Sequence, residues 1–339
     1  MAHQEGYVGD VMGRPAERTA ATIAKRTADR PAVTMAERPA VTIAERPAER
    51  TAEAITAAAT LLAVPPALIR GLEPLAGGST NDLFVFRCAG RAYVLRLVGA
   101  GAGSLANRAA ERAAYEALRA WDITDELVAL DSAGRRITVF HEGARTADPL
   151  DDADLAVALK LARRLHTVPL APGPRFGLGA QVRRYERLAA RSGLPAYPDL
   201  ARRQAQTAEL LAFLDGLGTP EVCCHGDLTC DNVLILPDGR AKLIDWEYAG
   251  WADPMLDVAS YCLYSFFGRD RVGRALRLYL NREPAPKETA RLYAHLAVAS
   301  YGWALWAQCC IAAGAPATGD LSAYGGRTYA YGSAYAALI

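Results

Sequence analysis

The sequence predicts an α+β fold in two parts: an antiparallel sheet carrying one helix, then a mainly helical lobe. Three observations lead there. Alternating apolar residues in Leu83-Phe-Val-Phe-Arg87 and Arg91-Ala-Tyr-Val-Leu-Arg-Leu97 flank the turn pair Ala89-Gly90, as in a hairpin. After Glu142-Gly143 that alternation gives way to apolar residues at helical spacing, starting with Leu155, Leu159, Leu161 and Leu165. A second hairpin interrupts the helices, with Val233-Leu-Ile-Leu236 and Ala241-Lys-Leu-Ile244 joined through Pro237-Asp238-Gly239-Arg240.

In chain order the sequence divides into 1–53, 54–143 and 144–339. The first segment repeats with a period of eight residues, its units opening on Arg14-Pro, Arg30-Pro, Arg38-Pro and Arg46-Pro. Pro31, Pro39 and Pro47 prevent one continuous helix. Its apolar residues are mostly Ala, too small to offset the entropy of ordering, so a disordered low-complexity extension is expected. A helix over 54–64 ends at Pro65-Pro66. The small-residue loop Leu75-Ala-Gly-Gly-Ser-Thr-Asn-Asp82 leads into the first strand. An Ala-rich helix over 104–121 carries Glu111 and Glu116, short strands follow at 127–130 and 136–140, and Glu142-Gly143 marks a hinge. The helix over 151–166 has Asp151, Asp152 and Asp154 in its first turn, where the helix dipole favours acids. Pro and Gly crowd a surface loop over 169–179. Helices near 182–191, 200–214, 257–267, 270–280 and 286–311, with a Tyr-rich end, complete the second lobe.

Composition excludes several classes. The chain has 339 residues, 51% hydrophobic and 22% charged, with a net charge of +1. These are values for a soluble globular protein with no basic field for nucleic acid. Seven Cys without regular spacing give no disulfide framework. Adjacent Cys223 and Cys224 cannot easily point at one ion, so they read as buried strand thiols. Glu5, Asp10, Arg14 and Glu17 break any secretory signal. The stretch 294–317 is long and nearly uncharged, but His295, Ser300, Gln308 and its glycines make it a buried helix rather than a membrane span. A cytoplasmic location is expected.

The chemistry concentrates in 222–257. His225-Gly226-Asp227-Leu228 with Asn232 fits the H-x-D-L-x-x-x-N loop of phosphoryl-transfer enzymes letter for letter. Such a reaction needs positioning and charge stabilisation above all. Asp227 is placed to face the attacking hydroxyl. Asn232 and Asp245 offer hard oxygen ligands for Mg²⁺ from two ends of the hairpin. Arg96, at the end of a strand, is the candidate cation for the phosphates, and Glu111 the helix acid that holds it. Gly77, Gly78, Ser79, Thr80 and Asn81 allow backbone N–H groups to approach those phosphates.

From about Ala54 onward the chain resembles the bacterial choline kinases, within the aminoglycoside phosphotransferase and choline/ethanolamine kinase superfamily. The resemblance rests on Leu75-Ala-Gly-Gly-Ser-Thr-Asn81, on Tyr93-Val-Leu-Arg-Leu97 with Asn107-Arg-Ala-Ala-Glu111, on the loop from His225 to Leu234, and on Leu243-Ile-Asp-Trp-Glu-Tyr-Ala-Gly250 with Asp253-Pro254 and Asp257. It implies a protein-kinase-like two-lobed fold with ATP as donor. It implies adenine near Val139 to Glu142, including Phe140, catalysis by Asp227, metal binding by Asn232 and Asp245, and bracing of the loop by Asp257 beside His225.

The acceptor is read from aromatic residues. A quaternary ammonium is best held by ring faces. Trp303-Ala-Leu-Trp306 places two indoles on one helix face. That pair looks like the choline-box tryptophans, with Tyr248 and Tyr324 as further walls. Such kinases often carry a Glu near the position of Tyr264, and here Glu247 is the nearest acidic candidate. The expected acceptor is choline or a related cationic alcohol. An aminoglycoside or sugar-alcohol kinase would instead need a wide acidic cleft, a kinase of another small molecule such as thiamine is a further alternative, and a silent binding module would lack some of these polar residues.

Overall fold

In a computed structural model, the described residues are 48–75, 81–99, 107–314 and 320–339. The octad repeats up to residue 47, and Gly77, Gly78, Ser79 and Thr80 of the small-residue loop, lie outside them. The protein-kinase-like two-lobed arrangement expected from the sequence is present. The first lobe is a five-stranded sheet in the order β1-β2-β3-β5-β4. Its strands are β1 (Arg70–Pro74), β2 (Asn81–Cys88), β3 (Arg91–Val98), β4 (Leu127–Leu130) and β5 (Arg136–Val139). β2 and β3 pair in unbroken register from Asn81↔Val98 to Cys88↔Arg91. Ala89 and Gly90, at φ 47° and 80°, supply the two positive dihedrals that a tight hairpin turn needs.

The pleat then sorts the lobe's two faces. Phe84, Phe86, Leu95, Leu97 and Ile137 pack on one side against Ala54, Ala57 and Ala58 of α1 (Ala48–Leu62). Arg96, between Leu95 and Leu97, must point to the other side, toward the second lobe. Helix α1 starts earlier than the expected residue 54, at Ala48. Helix α2 is Arg108–Leu118, shorter than 104–121, because the Asn107 side chain accepts a hydrogen bond from Ala110 N and caps it there.

The second lobe holds α3 (Asp152–His166), α4 (Leu178–Ala190), α5 (Leu200–Gly216), α6 (Met255–Tyr264), α7 (Arg269–Leu280), α8 (Pro286–Ala312) and α9 (Leu321–Ala336). Asp151 caps α3 by accepting from Ala153 N and Asp154 N. Helix α8 packs against α4, α5, α6 and α9, so it is buried over most of its circumference and apolar all round. No helix among the described residues is long and apolar enough to cross a membrane. The second expected hairpin forms as β8 (Val233–Ile235) and β9 (Ala241–Leu243), with the short β6 (Arg145–Thr146) pairing on β8. Cys223 and Cys224 are buried thiols on β7 (Val222–Cys224), which pairs antiparallel with β10 (Gly250–Ala252). That pair ties the two ends of the 225–249 segment together, and Leu243 N donates to Ile123 O at 2.7 Å to seat the segment against the first lobe.

Candidate active site

The loop after β7 is braced from below. Asp257, fully buried on α6, accepts from His225 N and Gly226 N at 2.8 Å each and meets His166 Nε2 at 2.9 Å. Burial alone would raise the Asp257 pKa, but His166 and His225 hold it below the usual carboxylate value. His225 turns its ring onto Ile244 O at 2.8 Å, joining the loop to the residue before Asp245. Gly226 has φ 80°, and a Cβ there would lie 2.1 Å from Tyr248 O, so only glycine fits. Beyond it Asn232 donates its amide to Asp227 O at 2.9 Å, while Asn232 O accepts from Ile244 N at 3.0 Å. Asp227, Asn232 and Asp245 thus belong to one hydrogen-bonded unit. Asp227 is half-buried. Its pKa is pushed up to about 8, first by burial and then by the charges of Asp245, Glu247 and Asp257.

Above this unit lies a cluster of paired charges. Arg96 donates to Glu111 Oε2 at 2.8 Å and, across the lobes, to Asp245 Oδ1 at 2.9 Å. Arg136 reaches the same two acids, Glu111 Oε1 at 2.8 Å and Asp245 Oδ1 at 3.2 Å. Arg108 joins Glu111 at 3.1 Å to Glu247 at 2.9 Å. Burial disfavours the ionised form of Glu111 and Asp245, but Arg136 and Arg96 hold both carboxyls below their ordinary values. Glu247 is shifted the other way, by burial and by the charge of Asp245. Asp245 sits at φ 67°, a left-handed conformation that turns the chain sharply after β9.

Arg136 and Arg108 were not singled out by sequence reasoning. The signal for Arg136 exists only in register: it stands directly opposite Arg96 on the neighbouring strand. Two like charges in that position need a carboxylate between them.

The aromatic residues form one wall beside Asp227. Tyr248 meets Trp303 at 5.1 Å, Trp303 meets Trp306 at 5.5 Å, and Trp306 meets Tyr324 at 6.5 Å between ring centroids, all edge to face. Phe176 and Phe266 extend this wall at its two ends, each 6.5 Å from its neighbour. Neither was expected, since nothing in the sequence places the 169–179 loop there. Glu247 does not stand free near the rings but is bound to Arg108. Asn81 is buried at the start of β2.

Phe140 and Glu142 line a separate cavity of about 620 Å³ at the hinge, with Ala92, Val139, His141 and Leu236. Its lining includes none of Asp227, Asn232 and Asp245. Glu142 itself is exposed and pairs with Arg87.

Known proteins resemble this chain in sequence and in fold. The chain is 31% identical over 177 residues to ethanolamine kinase 2 of Rattus norvegicus, covering 44% of this chain and 45% of that one, so it spans about half the length of that relative. The fold matches the choline kinase LicA from Streptococcus pneumoniae with a TM-score of 0.74 at 23% identity, over 86% of this chain and 100% of that one. It matches a structure of LicA in complex with AMP with a TM-score of 0.68 at 25% identity, over 79% and 92%. Over residues 71–294, a span holding the charged cluster and the whole of the loop from His225 to Asp257, the chain belongs to the phosphotransferase enzyme family.

Proposed function

We propose that the chain transfers a phosphoryl group from ATP to the hydroxyl of a small amino alcohol, choline or a relative of it. The observation that carries this reading is the single unit formed by Asp227, Asn232 and Asp245. It sets a carboxylate of raised pKa beside two oxygen donors and under a guanidinium held by Glu111. Asp227 would orient the acceptor hydroxyl and take its proton. Arg96 would face the phosphates with its position fixed from both lobes.

The donor set fits Mg²⁺. Asn232 spends its amide N–H on Asp227 O and keeps its carbonyl oxygen, and both guanidinia bind Oδ1 of Asp245, leaving Oδ2. Asn232 and Asp245 would hold Mg²⁺, which would supply positive charge against that developing on the phosphates and favour the ionised form of Asp227. The hinge cavity, with Ala92, Val139, Phe140 and Leu236 on its walls, suits a flat base. AMP in the LicA structure of the same fold supports a nucleotide there. The ring wall suits the cationic end of the acceptor, and the likeness to ethanolamine kinase 2 supports that class.

Label transfer from γ-labelled ATP across choline, ethanolamine, thiamine, homoserine and aminoglycosides tests the reading. The expected product is a phosphorylated amino alcohol. Asp227→Asn should lower kcat by at least about a thousandfold with nucleotide binding retained. Transfer to aminoglycosides alone, or undiminished turnover in the variant, would overturn it.

A further inference from the structure

One cation beside the aromatic wall is unlike the other arginines of the site. Arg327 lies on α9 one turn after Tyr324, so both present to the same side of the helix. Its guanidinium carbon stands 4.4 Å from the centroid of the Phe266 ring. Phe266 is the ring that ends the wall beyond Tyr324. Arg96, Arg136 and Arg108 each meet at least one carboxylate. Arg327 meets none among the described residues, and its buried Nε and Nη2 have no hydrogen-bond partner there. Stacking on Phe266 offsets part of the cost of burying the charge. It cannot satisfy the donors, which lie in the plane of the guanidinium and not on its face.

The surroundings connect this group to the reaction. Tyr264, two residues before Phe266, donates to Asp231 Oδ2 at 2.6 Å, on the loop between Asp227 and Asn232. Tyr324 is near enough to Asp227 that the aspartate's charge adds to burial in raising the phenol pKa. The site therefore runs from acids at the reacting end, along ring faces, to a guanidinium whose fork matches a planar anion.

We infer that Arg327 is a specificity-determining residue that binds an anionic group of the acceptor, so the acceptor is a zwitterion: a hydroxylated amine that also bears a carboxylate or a phosphate. This rests on the proposed amino-alcohol kinase reading. A purely cationic alcohol would bring like charge toward Arg327, whereas a zwitterion places its ammonium over the rings and its anion on the guanidinium. The same residue thus attracts one acceptor and repels the other.

The experiment compares matched acceptors, choline with carnitine and ethanolamine with serine and homoserine, by kcat/KM in the full chain. The wild type should favour the carboxylate-bearing member by at least about tenfold. Arg327→Met, which keeps an unbranched stem against Phe266, should lose or reverse that preference through the acceptor KM, with the KM for ATP unchanged. Arg327→Lys should keep part of it. An organophosphate-bearing amino alcohol in the same panel separates a phosphate from a carboxylate as the anion. If both variants phosphorylate simple amino alcohols with the wild-type preference, or the wild type favours choline over carnitine, the inference falls and the amino-alcohol reading stands. If no member of any pair is phosphorylated while ATP still binds, both fall.

Discussion

In the cluster between the lobes each guanidinium meets a carboxylate from a different element, while along the aromatic wall ring meets ring and little is bonded. Arg96, Arg136 and Arg108 come from two strands and a helix, and they converge on Glu111, Asp245 and Glu247. The wall of Phe176, Tyr248, Trp303, Trp306, Tyr324 and Phe266 is held by area and shape. A charged cluster of this kind admits one geometry, because each missing partner leaves a buried charge alone. Rings can be exchanged or tilted at modest cost. The physical difference assigns the two regions different work. On the proposed reading, the first would fix the reaction while joining the lobes, and the second would select what is phosphorylated.

Breaking the first region should give the largest effect. Arg136 is nearly fully buried and supplies both Glu111 and Asp245. Arg136→Met removes a charge of similar bulk and leaves two acids with one fewer cation. Loss of one partner from a buried ion pair costs about 3–5 kcal/mol. Urea denaturation should show a loss of that order. Since Asp245 is a proposed metal ligand, kcat/KM should fall by about a hundredfold or more at the same time. A variant that kept its stability but lost activity would show that the lobes are joined elsewhere.

The two regions also differ in how readable they were from the sequence. The loop from His225 to Asn232 and the hairpin leading to Asp245 are local, so motif and spacing sufficed. Arg96 could be named because it stands at the end of a legible strand, ahead of a helix that carries an acid. Arg136 could not, since its role depends on standing across from Arg96, and pairing register is invisible in one strand alone. The indoles of α8 were legible through the i, i+3 spacing of Trp303 and Trp306, and Tyr248 and Tyr324 only through the family resemblance. Phe176 and Phe266 were not, because a loop and a helix end reach the wall only through tertiary packing. The short strands β1, β6 and β10 escaped for a similar reason. They have few residues or carry Gly and Pro, and partners from elsewhere define them.

Breaking the wall should be milder for turnover and should separate binding from chemistry. Trp303 is half-buried, whereas Trp306 is 7% exposed. Trp303→Ala should raise the acceptor KM by roughly 2- to 30-fold, the range a lost cation–π contact spans, and leave the KM for ATP alone. Trp306→Ala should add a cavity penalty of about 3–5 kcal/mol to the same binding defect. Steady-state kinetics with either substrate varied, together with urea midpoints, separate the two. Equal changes in both KM values would place the indoles in the core only and erase the distinction between the regions.

The last expected effect concerns pH, and it sets Asp227 against its own neighbours. Asp257, Glu111 and Asp245 have folded-state pKa values below their ordinary ones. Their stabilising contribution is fully present above the unfolded values near 4 and is lost as pH falls further. Asp227 has the opposite sign, with a folded value of about 8 against an ordinary 3.8. Between those limits the folded chain binds the proton more tightly than the unfolded one, so stability declines as pH rises through that window. Asp227→Asn cannot ionise. It should therefore flatten the decline and raise Tm at pH 8 clearly above that of the wild type, with the acid limb unchanged, while turnover is lost. Thermal melts of both proteins from pH 3 to 9 would show it. Parallel curves would mean that Asp227 is ionised at little cost in the folded protein, and that the acids around it do not oppose its charge as their proximity requires.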